Sequence, residues 1–111
     1  MTQSDPELGD ADDKAGEEPA YVVYMLACAD GTLYTGIARD VAKRLAEHNG
    51  ERGKGARYTA ARRPVRLVYQ QRVVGRSAAQ REEARLKGLT RADKDVLVLA
   101  YRRGLRKRQP A

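Results

Sequence analysis

Tyr24, Tyr34, Arg44 and His48, with Glu82 and Glu83 further along, are the side chains of this 111-residue sequence whose types and spacing could do chemistry. Arg44 and His48 stand four apart, so on a helix they share one flank. Tyr24 and Tyr34 lie in two short runs of strand-forming residues. Glu82 falls on the apolar arc between Leu86 and Leu89 of a downstream helix, and Glu83 falls at its edge. A carboxylate on an apolar arc is itself a site signal, and spacing alone leaves the two tied. Together they offer hydroxyls that handle protons, one imidazole, one carboxylate and a guanidinium fork that meets phosphate oxygens two at a time.

What is missing narrows the choice. One cysteine, Cys28, and one histidine, His48, cannot build a zinc site, and no spacing supports a Cys/His dyad. The glycine-rich stretch at 50–59 lacks the Gly-Lys-Ser/Thr ending of a phosphate-binding P-loop. Ser77 reads as a helix cap rather than a nucleophile. Each remaining candidate also has an ordinary reading. Tyrosines in strands pack against neighbours, an arginine on a helix flank is solvated, a histidine at a helix end faces the dipole, and Glu83 pairs with Lys87 at i,i+4. Only the combination raises them above those readings.

The charge is segregated. Residues 1–19 carry seven acids against one base, −6 net, while residues 20–111 carry 21 bases against eight acids, +13 net. Arginine supplies 16 of the 22 basic residues, a bias that favours a polyphosphate partner over mere solubility. Such density implies salt-sensitive attraction to nucleic acid. No apolar stretch approaches the roughly 18–20 residues that span a bilayer. The acidic start is unlike a secretory signal, so the expected place is the cytoplasm, with no membrane partner.

The elements that must position these residues follow from pattern. Residues 1–19 read as a disordered acidic tail, 20–104 as one folded domain and 105–111 as a basic tail. The apolar run Tyr21–Cys28 predicts a central strand buried on both faces, and Thr32–Ile37 its hairpin partner. A three-residue loop, Ala29-Asp30-Gly31, with Gly31 left-handed, would place Tyr24 opposite Gly36 and Tyr34 opposite Leu26, both rings on one face. Gly36 would then leave room beside the Tyr24 ring. Asp40 caps a helix from Val41 to about Asn49, with Val41, Ala42 and Leu45 as its core face and Arg44 and His48 on the flank. A basic glycine-rich loop follows to Thr59, then a strand at Val65–Val73. Ser77 and Gln80 form a capping box for the next helix, and Thr90 starts a last one, Arg91–Arg103, which Gly104 stops. The fold class expected is α+β, a three-stranded antiparallel sheet flanked by helices in the order ββαβαα.

Val22-Val23-Tyr24, then Tyr34-Thr35-Gly36, then Arg44, and the downstream run Ala79-Gln80-Arg81-Glu82-Glu83 with Lys87 resemble the GIY-YIG nuclease domain. More narrowly, Tyr34-Thr35-Gly36-Ile37 and Gly53-Lys54-Gly55-Ala56-Arg57-Tyr58-Thr59 followed by Arg62-Arg63-Pro64 resemble its small stand-alone bacterial branch, UPF0213. The resemblance covers about residues 20 to 100. The first Gly and Ile of the family pattern are Val22 and Val23 here, and the middle Ile of the second triplet is Thr35.

The resemblance implies DNA phosphodiester hydrolysis with one divalent cation, Mg²⁺ or Mn²⁺, in repair or in the processing of branched or damaged duplexes. It settles the tie between the glutamates toward Glu83 as the metal ligand. One carboxylate suits an ion that keeps several waters and completes its shell with phosphate oxygen. Arg44 would face the equatorial oxygens, and Tyr24, ahead of Tyr34, would deprotonate or position the attacking water. A tyrosine of ordinary pKa, about 10, needs help from Arg44, His48 or a metal-bound hydroxide to act as a base. His48 would take the tyrosine's proton or donate to phosphate. Gly36, Arg52, Lys54, Arg57, Tyr58, Arg62 and Arg63 form the expected nucleic-acid surface, with Tyr58 stacking on an unpaired base. The stand-alone size implies weak sequence choice and a partner protein for targeting. The alternatives are a binding module for DNA or RNA that cleaves poorly, and an adaptor whose acidic tail folds back on its own basic groove.

Overall fold

A computed structural model describes residues 18–50 and 57–108 of the chain. Residues 1–17 of the acidic tail, Arg52 and Lys54 of the basic loop, and 109–111 of the basic tail lie outside the described residues. Strand β1, Ala20–Cys28, is apolar almost throughout and takes the middle of a three-stranded antiparallel sheet. Its flanks are β2, Leu33–Ala38, and β3, Val65–Val74, in the order β2-β1-β3. Burial of Tyr21, Val23, Tyr24, Met25 and Leu26 on both faces of β1 follows from that position.

The hairpin has the three-residue loop expected. Gly31 sits at φ +89°, and Thr32 donates from its backbone N–H and its hydroxyl to Asp30 Oδ1 at 3.1 and 2.7 Å. The register sets Tyr24 against Gly36 and Leu26 against Tyr34. Between β1 and β3 the register shifts at Met25/Leu26, a bulge that gives β3 one extra residue.

Helix α1, Val41–His48, starts where Asp40 Oδ1 accepts from the Lys43 N–H at 3.0 Å. Its end is tied to β3 by Asn49, whose amide donates to the Val65 carbonyl and accepts from the Val65 N–H. Two expectations need correction here. Ala42 is exposed rather than in the core, and His48 is fully buried rather than on a flank. The side chain at the last turn of α1 turns inward because polar partners on other elements receive it.

The basic loop ends in a one-turn helix, α2, Arg57–Ala60, so the order is ββααβαα. Helix α3, Arg76–Lys87, begins one residue before Ser77. Gly75, at φ +95°, makes the turn into it, and Ser77 lies inside the helix, accepting from Arg81 Nη1 at 2.9 Å. The predicted capping box therefore does not form. Helix α4, Arg91–Arg108, is capped by Thr90 Oγ1, which accepts from the Asp93 N–H, and runs through Gly104 instead of stopping there. A glycine inside a helix costs only about 1 kcal/mol, which the flanking residues outweigh.

Two cores result. Tyr24, Leu26, Cys28, Ala38 and Val65 pack with Val41 and Leu45 of α1 on one face. Tyr21, Val23 and, from α3, Ala79 and Leu86 pack with Leu89 of the turn after α3 and Leu97 of α4 on the other. Among the described residues no helix is long and apolar enough to cross a membrane.

Candidate active site

The hairpin register puts Tyr24 and Tyr34 side by side, ring centroids 6.4 Å apart, on the face that α1 covers. Gly36 is what allows this. A Cβ there would stand 2.6 Å from the Tyr24 hydroxyl and 3.1 Å from Tyr34 Cε2, closer than side chains tolerate. Into the same space α1 sends His48, whose Nε2 lies 2.9 Å from Tyr24 Oη in a buried hydrogen bond. The imidazole edge meets the Tyr34 ring at 4.9 Å. Its other nitrogen, Nδ1, lies 2.8 Å from Thr59 Oγ1 of α2. Both ring nitrogens are thus engaged inside the protein, and of the two roles expected for His48 the geometry fits the exchange of a proton with tyrosine.

The two tyrosines differ in access. Tyr24 is only 2% exposed, whereas Tyr34 is half-buried and lines a cleft of about 330 Å³ with Leu33, Thr35, Tyr58, Lys87 and Lys94. Tyr58 stacks against Tyr34, centroids 5.8 Å apart. The Arg62 guanidinium lies 3.9 Å from the centroid of the Tyr58 ring and donates to the Tyr58 carbonyl, so a base stacking on that side must displace Arg62. Arg62 also holds Asp30 at 2.9 Å, and Asp30's carboxyl is held below its ordinary value, first by the Thr32 hydroxyl. Arg63 donates from Nε to the His48 carbonyl at 2.7 Å and so secures the end of α1. Of these two arginines, expected on the nucleic-acid surface, Arg62 ties α2 to the hairpin loop and Arg63 ties the following turn to α1.

Arg44 sits one turn before His48, its side chain largely buried, with Nη1 donating to Glu47 Oε1 at 2.8 Å. Glu47 is itself buried, at 3% exposure. A carboxylate holding one edge of a guanidinium fixes the direction of the remaining donors. Sequence reasoning passed over both Glu47 and Thr59. The i,i+3 spacing from Arg44 was an available signal for Glu47. Nothing local marks Thr59, in a polar glycine-rich stretch.

The two glutamates of α3 are used differently. Glu82 is gripped by Arg85 through both carboxylate oxygens, at 3.0 and 2.7 Å, and its carboxyl is held below the ordinary value chiefly by that hydrogen bonding. Glu83 meets Lys87 by one point contact at 3.2 Å, and Lys87 lines the cleft beside Tyr34. A mobile, exposed ammonium is easily displaced from a carboxylate, which a bidentate arginine is not. The donor set at Glu83 thus fits a hard divalent ion that brings its own waters. Among the described residues no group of three His, Cys, Asp or Glu could hold a metal by itself.

Residues 20–95 match the pattern described as the GIY-YIG catalytic domain. The chain is 49% identical over 88 residues to a UPF0213 protein of Desulfotalea psychrophila, covering 79% of each. It is also 49% identical over 78 residues to a UPF0213 protein of Natronomonas pharaonis, covering 70% of this chain and 89% of that one. A UPF0213 protein of Bacillus halodurans, solved by solution NMR, is 41% identical, with 73% and 84% of the chains covered and a TM-score of 0.47.

Proposed function

The chain belongs to the GIY-YIG family, in its UPF0213 branch, and from that premise we propose a divalent-metal-dependent endonuclease that hydrolyses DNA phosphodiester bonds. The observation that carries this reading is the buried hydrogen bond between Tyr24 Oη and His48 Nε2 beside the cleft-lining Tyr34. A phenol alone is a poor acceptor of a water proton near neutral pH. A phenol that can pass its own proton to an imidazole is a competent one.

In this mechanism Tyr34, facing the cleft, holds the attacking water in line with the scissile bond. Tyr24 takes the proton from that water while giving its own to His48. Arg44, oriented by Glu47, donates to the non-bridging oxygens as negative charge builds on phosphorus. Glu83 is the residue that would hold a divalent cation, which when bound supplies Lewis-acid charge at the leaving oxygen. Lys87 and Lys94 line the approach and attract the phosphate backbone. We place the substrate among branched or damaged DNA of the kind handled in repair.

The test is cleavage by the purified chain of supercoiled plasmid and of branched duplexes with Mg²⁺ or Mn²⁺. Arg44→Ala and Glu83→Gln should each lower the rate by about 10²–10³-fold, the cost of losing one transition-state charge partner, with DNA binding retained. Binding without cleavage by the wild-type chain, or wild-type rates in both variants, would show a nucleic-acid-binding module instead.

A further inference from the structure

Thr59 has no task in the mechanism above, yet it is fully buried and its hydroxyl oxygen lies 2.8 Å from His48 Nδ1. On the opposite side of the ring, Nε2 lies 2.9 Å from Tyr24 Oη. A neutral imidazole carries one N–H and one lone pair, so one of these bonds is donated by the ring and the other accepted. The acidity of the two hydroxyls decides which. A phenol is a far stronger acid than an aliphatic alcohol and therefore the better donor. The favoured arrangement has Tyr24 O–H donating to Nε2 and Nδ1–H donating to Thr59 Oγ1, a hydroxyl that can accept while its own proton turns elsewhere.

We propose that Thr59 is a positioning residue that, by accepting the Nδ1 proton, holds His48 in the tautomer whose Nε2 lone pair faces Tyr24. The opposite tautomer would present N–H to Tyr24 and leave its proton nowhere to go along this path. With Thr59 in place the accounting closes. The water O–H bond breaks as a Tyr24 O–H bond forms, and the former Tyr24 O–H bond breaks as Nε2–H forms. The water oxygen's electron pair goes to phosphorus, the phosphorus–leaving-oxygen bond breaks, and that oxygen takes a proton from solvent. His48 ends as an imidazolium with both N–H groups bonded.

Thr59 also sits next to Tyr58 in the single turn of α2, and Tyr58 stacks on Tyr34 in the cleft. One short helix thus touches the cleft and the imidazole through adjacent residues. The tautomer rests on geometry within the free protein; only its effect on rate rests on the endonuclease reading.

His48 is the sole histidine of the chain, so a ¹⁵N-labelled full-length protein offers a single imidazole to read. Long-range ¹H–¹⁵N correlation, at a pH where the ring is neutral, should show Nδ1 protonated and Nε2 bare. Thr59→Val, equal in shape but without the hydroxyl, should move the ring toward the Nε2-protonated form. The same variant should lower kcat by about 10–100-fold, the range for a group that orients a histidine from behind, with KM little changed. Thr59→Ser should restore both readouts. A wild-type ring protonated at Nε2 overturns the proposal without any variant, and so does a Thr59→Val ring that keeps the wild-type tautomer. If Thr59→Val fails to fold, the wild-type and Thr59→Ser spectra still decide. An Nδ1-protonated ring in a chain that cuts no DNA upholds Thr59 and removes the endonuclease reading.

Discussion

One face of the sheet is closed by α3 and α4, with Ala79 and Leu86 packed on Tyr21 and Val23, and its interior is largely hydrocarbon. The other is closed by α1 and α2, and there a phenol, an imidazole and an alcohol are buried in one hydrogen-bonded line, Tyr24–His48–Thr59. Apolar burial stabilises by roughly 25 cal/mol per Å² whatever the orientation of the groups. Buried hydrogen bonds contribute much less net free energy, about 1 kcal/mol each, but are costly to leave half made. Apolar clusters on both faces therefore hold the domain together, and the hydrogen-bonded line on the second face also fixes directions. Proton handling suits the second face because a group that exchanges a proton needs orientation more than cohesion.

The largest effect should come from the apolar face. Leu86 is fully buried there, and Leu86→Ala should cost about 2–5 kcal/mol of stability, the range for removing a core leucine with incomplete collapse. Urea unfolding measures it. Cleavage per folded molecule should change far less than stability does. An unmoved unfolding midpoint would mean that this face is not a source of cohesion.

Gly36→Ala should show the reverse balance. The added methyl would lie 2.6 Å from Tyr24 Oη and 2.8 Å from its Cζ, so the ring must move. Overpacking of this kind costs about 1–3 kcal/mol. The displaced hydroxyl leaves His48, so the rate should fall well beyond what the lost stability explains. The His48 imidazole resonances should move in the same variant, and unchanged resonances would show that the glycine is not what sets the Tyr24–His48 bond.

How much of this was legible in the sequence depends on how local the cause is. The register of Tyr24 against Gly36 could be read because turn chemistry at Asp30-Gly31 and strand alternation are short-range rules. The Asp40 cap could be read for the same reason. Burial of His48 could not, since its partners come from β1 and α2, 24 and 11 residues away. The turn of α2 is too short for any periodicity to show. Ser77 and Gln80 have capping-box spacing, but Gly75 at positive φ is the N-cap and starts the helix two residues earlier than a Ser77 cap would, a backbone choice no side-chain pattern records. The resemblance at Tyr24, Tyr34, Arg44 and Glu83 pointed to the candidate site, while Glu47 and Thr59, which hydrogen-bond Arg44 and His48, emerged only from the fold.

The smallest predicted effect separates the two neighbours that spacing left tied. Glu82 is paired with Arg85, whose side chain is largely exposed, so the pair should contribute less than about 1 kcal/mol. Its carboxyl is held low in the folded chain, first by the Arg85 hydrogen bond. The unfolded chain therefore binds the proton more readily, and the pair's contribution is complete above the ordinary carboxylate range. It is lost as pH falls through the depressed folded value. Glu82→Gln should accordingly show a small deficit in urea unfolding at neutral pH that closes on acidification, with cleavage untouched. Glu83→Gln should instead slow cleavage by the same factor as above, about 10²–10³-fold, because Glu83, met by one lysine contact rather than clamped, is the carboxylate proposed to serve an ion. If the two variants exchanged these behaviours, the difference between a bidentate arginine and a single lysine contact would not be what assigns their roles.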